Sequence, residues 1–332
     1  MKQIIDTPPS ATAAAVKTLL VDEESAGQRL DNFLIRQLKG VPKTHVYRII
    51  RTGEVRINKG RVNADTRVQT GDLVRVPPVR VASVDIIAPV APGREFPVLM
   101  EDEQMMAIDK PAGVAVHGGS GVSFGVIEQL RQARPGARML ELVHRLDRDT
   151  SGVLLVAKKR SALTRLQDQF RDRETGKTYL AMVKGQWPSN KKVIDLPLQR
   201  YVVANGTGEG ERRVRIAAKD DANAQRAITL VRVSRLVGDY SLLEVTIKTG
   251  RTHQIRVHLA SQGYPIIGDD KYGDFELNKR LAAQGIKRMF LHAWRLQFVH
   301  PQTGRSETVE AGLPQELQHF IDHVQPPAPT PI

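Results

Sequence analysis

His144-Arg145-Leu146-Asp147-Arg148-Asp149-Thr150-Ser151-Gly152 stands between two apolar stretches, and this arrangement decides how the second half of the chain is interpreted. Residues 142–146 predict one buried strand, and residues 153–157 predict another. The residues between them, 147–152, then form a polar loop beside buried backbone. Ionised groups next to buried strands usually have a charged partner or a chemical task, although Asp and Ser in a turn also commonly hydrogen-bond their own backbone. Both interpretations fit the residues of this loop.

Two segments further along the chain carry polar side chains next to predicted strands. Tyr179 lies in a strand predicted over residues 178–183, where a tyrosine of the core is the simpler interpretation. Another strand, 243–247, is followed by a helix for which Thr252 is a good N-cap. Arg251 therefore lies just outside a helix N-terminus, where backbone N–H groups and the helix dipole favour an anion such as a carboxylate or a phosphate.

A short basic segment, residues 27–82, precedes these strands. Apolar residues at helical spacing predict helices over 30–38 and 44–53, and alternating residues after them predict a small sheet. Three Lys and nine Arg stand against four Asp or Glu in this segment, which leaves a charge of +8. A solvated surface is the usual explanation for a run of charges. Here the cations recur on the solvent side of two helices and a strand, as contact with a phosphate backbone requires, and we predict nucleic-acid binding.

The whole composition narrows the possible classes of protein. A chain of 332 residues with 41% hydrophobic residues is long enough for two domains, and its net charge of +13 favours a polyanionic partner. Because cysteine is absent from the sequence, disulfides, iron–sulfur clusters and thiolate zinc sites are excluded. His253 and His258 would lie about 140° apart on a helix, so we predict no metal site. No apolar run approaches the roughly 20 residues that span a bilayer, and we expect a cytoplasmic protein.

Several of these segments together resemble the RluA-type pseudouridine synthases. The residues that carry the resemblance are 144–152, 177–181 and 250–259, and residues 109–113 and 291–293 fit the same pattern. The basic N-terminal segment is similar to the S4-type RNA-binding domain. That similarity lies in residues 28–31, 48–58 and 71–72.

The resemblance implies an α+β protein with two domains. A small S4-type α/β RNA-binding domain would precede a mixed, mainly antiparallel β-sheet catalytic domain with flanking helices. We expect a flexible tail over 1–20, the S4-type domain over 21–82, a proline-rich linker over 83–95, the catalytic domain over 96–322 and a second flexible tail over 323–332.

The resemblance also implies an enzyme that needs no cofactor, detaches uracil from its ribose in RNA and reattaches it through carbon. Asp147 would start the cleavage of the glycosidic bond, Arg251 would pair with its carboxylate, and Tyr179 would cover the base. Arg145 would fill the gap that the flipped uridine leaves. The other residues expected to contact substrate are His144, Lys110, Thr252, His253 and Gln254, and the expected RNA contacts of the S4-type domain are Arg29, Lys43, Arg48, Arg51 and Arg56.

The expected substrate is large-subunit ribosomal RNA, free or in a ribosome assembly intermediate, and the protein is expected to act as a monomer. A synthase that acts on transfer RNA is an alternative. A non-catalytic RNA-binding or ribosome-assembly protein explains the charge equally well, but it leaves unexplained why the aspartate, the tyrosine and the arginine all stand where the chemistry needs them. A metal-dependent nuclease or glycosidase is disfavoured because the sequence has no set of ligands at suitable spacing.

Overall fold

The computed structural model describes residues 15–23, 25–38, 40–79, 90–119, 124–203, 211–218, 221–283 and 285–324. The chain divides into two compact units, residues 1–88 and 89–332. This division lies within the predicted linker, most of which is outside the described residues. Residues 1–14 and 325–332 of the two predicted tails are also outside them.

The first unit packs two helices on a small antiparallel sheet with the strand order β1-β4-β2-β3. Leu30, Phe33 and Leu34 are fully buried at helical spacing, which is why the first helix presents one face to the core. The predicted helix pair and the following strands are confirmed. The elements are β1 (Lys17–Leu20), α1 (Leu30–Gln37), α2 (Lys43–Arg51), β2 (Arg56–Ile57), β3 (Gly60–Arg61) and β4 (Leu73–Val76).

The prediction of a flexible tail over residues 1–20 is wrong for its last four residues. Strand β1 pairs antiparallel with β4, from Lys17 opposite Val76 to Leu20 opposite Leu73. The backbone groups on this edge of β4 need a partner, and β1 supplies it. The folded unit therefore begins before residue 21.

The second unit contains the remaining elements. They are β5 (Val98–Glu101), β6 (Met105–Lys110), α3 (Val126–Ala133), β7 (Glu141–Leu142), β8 (Ser151–Ala157), α4 (Arg160–Asp172), β9 (Gly176–Lys184), β10 (Val193–Asp195), β11 (Leu198–Val203), β12 (Glu211–Ile216), β13 (Ile228–Val237), β14 (Tyr240–Ile247), α5 (Gln254–Ser261), α6 (Phe275–Ala283), β15 (Leu291–Val299), β16 (Ser306–Glu310) and α7 (Gln315–His323).

Within the described residues, one ten-stranded sheet organises this unit, with the order β10-β13-β14-β9-β15-β8-β6-β5 and with β16 and β7 paired to β15 and β8. The pairs are antiparallel except for β15 and β8, which run parallel at His292–Ser151 and Ala293–Gly152. A separate hairpin consists of β11 and β12. The predicted α+β class with a mixed, mainly antiparallel sheet is confirmed.

Both faces of the sheet are covered where β6 and β8 lie side by side. Met106 and Leu154 pack on one face with Leu130 of α3, whereas Met105 and Leu155 pack on the other face with the residues of α4. Strands covered on both sides read as continuous apolar runs, and β8 is buried along its whole length. Among the described residues, no helix is long and apolar enough to cross a membrane.

The strand predicted over residues 142–146 is largely wrong. Strand β7 ends at Leu142, and the residues from Val143 to Thr150 form an irregular segment that leads into β8. Val143 and Leu146 are buried because they pack against neighbouring elements, so their apolar character does not reflect strand pairing. The polar loop is consequently longer than its sequence indicates.

Candidate active site

The segment between β7 and β8 carries Asp147, and a glycine fixes its far end against the sheet. Gly152 has φ +111°, and a Cβ there would collide with the backbone of Ala293 on β15. No other residue combines that backbone conformation with so close an approach. The parallel pairing of β8 with β15 thus depends on Gly152, and it sets where the loop that carries Asp147 leaves the sheet.

Arg256, on the inner side of α5, lies against the Asp147 carboxylate. Its Nη1 is 3.5 Å from Asp147 Oδ2, while Nε and Nη2 each donate to one oxygen of Asp269 at 2.7 Å. The side chain is only 3% exposed. Burial opposes the charge, but the hydrogen bonds to Asp269 and the nearby carboxylates more than offset it and raise the pKa of Arg256. The guanidinium is therefore a fixed positive charge at the base of the loop.

Asp147 has a second neighbour in His253, the residue that precedes α5. His253 Nε2 lies 3.8 Å from Asp147 Oδ2, and its Nδ1 lies 2.9 Å from Tyr272 Oη. Tyr272 Oη also accepts a hydrogen bond from the backbone N–H of Val214 at 3.0 Å. Burial lowers the pKa of His253, so a neutral ring faces Asp147 through Nε2.

Tyr179, on β9, lines the cleft near Asp147. Opposite it, the pairing of β9 with β15 shifts register between His292 and Arg295, a bulge of the kind that redirects side chains. Burial, followed by the charge of Asp147, raises the pKa of Tyr179, so its hydroxyl keeps its proton at neutral pH.

A cleft of about 540 Å³ is lined by Asp147, Tyr179, His253 and Arg256 together with other residues. Asp147, whose side chain is 22% exposed, is the one carboxylate among the lining residues of the described chain. The cations that line the same cleft are Arg145, Arg171, Arg173, Lys177, Arg200, Arg251 and Arg256. The carboxylate lies beside the guanidinium of Arg256, and an aromatic ring close to it offers a face on which a flat base can stack. The cleft suits an anionic substrate that presents a flat ring.

Comparisons with known proteins agree with this arrangement. Residues 104–261 match the family model described as RNA pseudouridylate synthase, and residues 28–74 match the S4 domain. The chain is 48% identical over 313 residues to ribosomal large subunit pseudouridine synthase C of Pasteurella multocida, covering 92% of this chain and 93% of that protein. It is 47% identical over 319 residues to the protein of the same name in Escherichia coli strain K12, covering 94% and 97%. This chain belongs to the RNA pseudouridylate synthase family.

Solved structures show the same fold. Human RNA pseudouridylate synthase domain containing 4 covers 69% of this chain and 94% of its own, with a TM-score of 0.56 and 26% identity. Human RNA pseudouridylate synthase domain containing 1 covers 71% and 98%, with a TM-score of 0.52 and 24% identity. The predicted family, the S4-type domain and the assignment as an RNA pseudouridine synthase are confirmed.

The expected partner of Asp147 in this pseudouridine synthase needs correction. Arg251 was predicted to pair with Asp147, but its Nε faces the backbone carbonyl of Arg226 at 3.3 Å, and Arg256 occupies the position beside the carboxylate. The prediction started the helix one residue too early. His253, in a left-handed conformation with φ 52°, precedes α5, so Thr252 does not cap the helix and Arg251 lies at the mouth of the cleft.

Three residues predicted to contact substrate, Gln254, His144 and Lys110, make contacts within the protein, and the contacts of Gln254 and His144 with substrate stay predictions. Gln254 is 2% exposed, and its amide bonds Thr249 Oγ1, Arg251 N, Ile228 O and Thr229 Oγ1. His144 stacks on Phe170 with ring centroids 4.5 Å apart and accepts a hydrogen bond from Leu155 N. Burial lowers the pKa of His144 to about 3, so its ring is neutral.

Lys110 is the third of these residues. Its side chain is fully buried, and Nζ donates to the carbonyls of Pro111, Val114 and Arg148 at 2.8, 2.8 and 3.0 Å. These bonds tie the turn after β6 to the loop that carries Asp147. Burial lowers the pKa of Lys110 to about 7. Its three donors are all used within the protein, which leaves none for a substrate.

The remaining predicted residues are accessible. Arg145 is exposed at the rim of the cleft, and Thr252 Oγ1 accepts a hydrogen bond from Arg200 at 3.0 Å. In the first unit, Lys43, Arg48 and Arg51 are exposed on α2, and Arg56 is half-buried on β2. Their contacts with RNA stay predictions.

Arg29 differs from the other cations of the first unit. It donates to both oxygens of the buried Asp31 at 3.2 and 2.7 Å, and Tyr47 Oη donates to the same carboxylate at 3.2 Å. Its charge is compensated inside the protein.

Sequence reasoning missed Arg256, Asp269 and Tyr272. Arg256 had a usable signal, because it interrupts the apolar residues Ile255, Val257 and Leu259, all of which are buried. Asp269 and Tyr272 had none, since only the folded chain brings them to α5. Among the described residues, no group of three or more His, Asp or Glu side chains could hold a metal ion.

Proposed function

We propose that this pseudouridine synthase isomerises specific uridines in large-subunit ribosomal RNA, with Asp147 as the residue that starts the reaction. The substrate is inferred from the names of the close relatives and from the basic S4-type unit. The observation that carries the assignment of Asp147 is its position as the one carboxylate that the described residues contribute to a cationic cleft, beside Arg256 and near Tyr179.

The reaction requires that the uridine first leaves the RNA stack, which costs a few kcal/mol. The ring of Tyr179 gives the flipped uracil a surface to stack on, and Arg145 at the rim is placed to fill the vacated space. The bond between N1 and the ribose C1′ then breaks, a bond between C5 and C1′ forms, and one proton passes from C5 to N1. The change is an isomerisation with no net oxidation, so side chains alone supply the groups it needs.

Asp147 is suited to start this sequence because its carboxylate is partly exposed in the cleft and is held beside Arg256 and His253. Attack on the ribose, attack on the uracil ring and abstraction of a sugar proton all use the same carboxylate. The protonated hydroxyl of Tyr179 is a candidate for proton transfer at the base.

The proposal extends to the setting of the reaction. The groups assigned to the chemistry meet within one chain, so the proposed reaction does not need a second copy, and we propose that the protein acts as a monomer. Ribosomal RNA as substrate implies a cytoplasmic location and access to the target uridine in free RNA or in an assembly intermediate.

The test is tritium release from RNA labelled at uridine C5, with wild-type protein and Asp147→Asn, on large-subunit ribosomal RNA and on transfer RNA. We expect wild-type protein to release tritium from ribosomal RNA alone. Asp147→Asn should bind that RNA with unchanged affinity and release at least about 10⁴-fold more slowly, as expected when a nucleophile is removed. Release from transfer RNA alone would refute the substrate, turnover by the variant would refute the role of Asp147, and tight binding without release would favour a non-catalytic protein.

A further inference from the structure

Lys177 is a buried cation that the proposed chemistry at Asp147 does not use. It lies on β9 two residues before Tyr179, and since side chains alternate along a strand, both face the cleft about 7 Å apart. Lys177 is 9% exposed. Its Nζ donates to Thr175 Oγ1 at 3.0 Å and lies 5.4 Å from the centre of the Phe170 ring.

Two neighbouring cations act on Lys177. Burial lowers the pKa of its ammonium, and the positive charges of Arg173 and Lys248 lower it further. In the part of the chain that the structure describes, Lys177 forms no ion pair with a carboxylate. A buried charge is costly unless an opposite charge compensates it, so this ammonium is poised for an anion that the protein itself does not supply.

Lys110 and Lys177 are both buried in this unit, but they differ in how many of their hydrogen-bond donors remain for a ligand. Lys110 donates its three hydrogen bonds to three backbone carbonyls, and it lies outside the cleft that holds Asp147. Within the described residues, Lys177 donates one hydrogen bond, to the Thr175 hydroxyl, and it lines that cleft. An ammonium has three donors, so Lys177 has hydrogens to give to a ligand.

Arg173 brings a second cation to the same wall. It follows α4 in a left-handed conformation, with φ 65° and ψ 29°, which is uncommon for a residue other than Gly or Asn. Its side chain is exposed and lines the cleft. The neighbouring Arg171 differs, because it pairs with Asp168 at 2.5 Å. Arg173 and Lys177 therefore offer uncompensated positive charge where the turn between α4 and β9 meets the cleft.

We propose that Lys177 and Arg173 form a binding site for a phosphodiester group of the RNA backbone that adjoins the target uridine. Phosphate is the anion that every nucleotide carries, and it accepts several hydrogen bonds from an ammonium and a guanidinium. Tyr179 contacts the base, and the proposed site, which includes Lys177 two residues earlier on β9, contacts the RNA backbone. The inference rests on the proposed function, since it takes RNA as the ligand of the cleft.

The experiment uses short RNA fragments that contain the target uridine and replace single phosphodiester linkages around it by uncharged methylphosphonate. Both kcat/KM for tritium release and the Kd of the fragment are measured, with wild-type protein and Lys177→Gln. At one linkage, we expect the substitution to weaken binding to wild-type protein by about 10- to 100-fold, the usual contribution of a hydrogen bond between charged groups. Lys177→Gln should lose a similar factor with the unmodified fragment and lose nothing more at that linkage.

Further variants separate a binding role from a structural one. Lys177→Arg, which keeps the charge, should restore most of the affinity. Arg173→Asn, whose new residue tolerates the left-handed backbone, should weaken binding at the same linkage even if Lys177→Gln folds poorly. Lys159→Gln serves as the matched control, because Lys159 precedes α4 at its opposite end, about 20 Å away.

Two results would overturn the site. One is that no single methylphosphonate affects wild-type protein, and the other is that its effect is equal in wild-type, Lys177→Gln and Arg173→Asn proteins. Absence of tritium release from every RNA would refute the proposed reaction instead, and the Kd measurements would still decide whether the phosphate site exists.

Discussion

The cations of the two units differ in how their charges are compensated. On α2 of the first unit, Lys43, Arg48 and Arg51 are exposed, and within the described residues none of them forms an ion pair. In the cleft of the second unit, Arg256 is 3% exposed and lies against the carboxylates of Asp147, Asp269 and Asp270. The first arrangement leaves charge free for a partner, and the second uses charge to hold a carboxylate in place.

The difference has an energetic reason. An exposed cation is solvated and screened, so its removal has little effect on the folded state. A buried cation costs several kcal/mol unless opposite charges surround it, and the same opposite charges are left uncompensated when it is removed. Substitutions in the first unit should therefore change RNA binding, whereas substitutions at Arg256 should change both folding and turnover.

The largest effect is expected for Arg256→Met. This change leaves Asp269, whose side chain is 1% exposed, without its bidentate partner, at a cost of about 3–5 kcal/mol. For a unit of this size the Tm should fall by roughly 10 °C, and tritium release should be abolished. Arg256→Lys should have a Tm and a rate of tritium release between those of wild type and Arg256→Met, because an ammonium keeps the charge but cannot make both parallel hydrogen bonds. Thermal unfolding and tritium release measure the two effects.

Arg251→Met is the matched control for Arg256→Met. Arg251 is partly exposed, and within the described residues its side chain makes one hydrogen bond, to the carbonyl of Arg226. We expect its loss to leave Tm within about 2 °C of wild type, in keeping with surface substitutions. If Arg251→Met abolished turnover and Arg256→Met did not, the original pairing of Arg251 with Asp147 would be correct and the comparison drawn here would fail.

The second prediction concerns His292, another buried group of the second unit. Its Nδ1 is 2.8 Å from Ser151 Oγ and its Nε2 is 3.1 Å from the carbonyl of Ala311. Burial lowers the pKa of His292 to about 4. In the unfolded chain the pKa is near 6.5, so the unfolded state binds more protons between these values. His292 therefore does not lower the free energy of unfolding above about pH 6.5. As the pH falls from there to about 4, its protonation in the unfolded chain lowers that free energy by about 3 kcal/mol in total.

Urea unfolding at a series of pH values measures this decline. His292→Gln should be less stable than wild type at pH 7 but should lose less as the pH falls. The exposed His319 provides the control, and His319→Gln should follow the wild-type curve. A wild-type and a His292→Gln curve that run parallel from pH 7 to pH 4 would show that other groups cause the acid sensitivity.

The sequence predicts the exposed cations of the first unit better than the buried charges around Asp147, and the reason is physical. In α2 of the first unit, helical spacing assigns Val46 and Ile49 to the core and therefore leaves Arg48 and Arg51 outside. Local pattern suffices because solvent exposure needs no partner. The family motifs likewise locate Asp147 and Tyr179, which line the cleft as expected.

The partners inside the cleft depend on the folded chain. Helix α5 is buried on all sides from Gln254 to Leu259, so no amphipathic pattern shows which way Arg256 points. Asp269 reaches it across 13 positions of sequence, and Val214 reaches Tyr272 across 58. The internal hydrogen bonds of Lys110 and Gln254 were not foreseen for the same reason, since motif position alone does not show which polar groups a residue reaches in the fold.

The smallest expected effects belong to the exposed cations, and they test the comparison from its other side. Arg51→Gln should leave Tm unchanged and weaken RNA binding several-fold at low salt. If Arg51 contacts a phosphate, the slope of log K against log salt should fall by about 0.7 to 0.9, the share of one released counterion. Arg29→Gln should behave oppositely. It should lower Tm, because Asp31, whose side chain is 3% exposed, loses the guanidinium of Arg29. The slope of log K against log salt should change little. Binding titrations at several salt concentrations, paired with thermal unfolding, distinguish the two variants. A lower slope for Arg29→Gln and an unchanged slope for Arg51→Gln would mean that RNA binds the first unit on a surface other than α2.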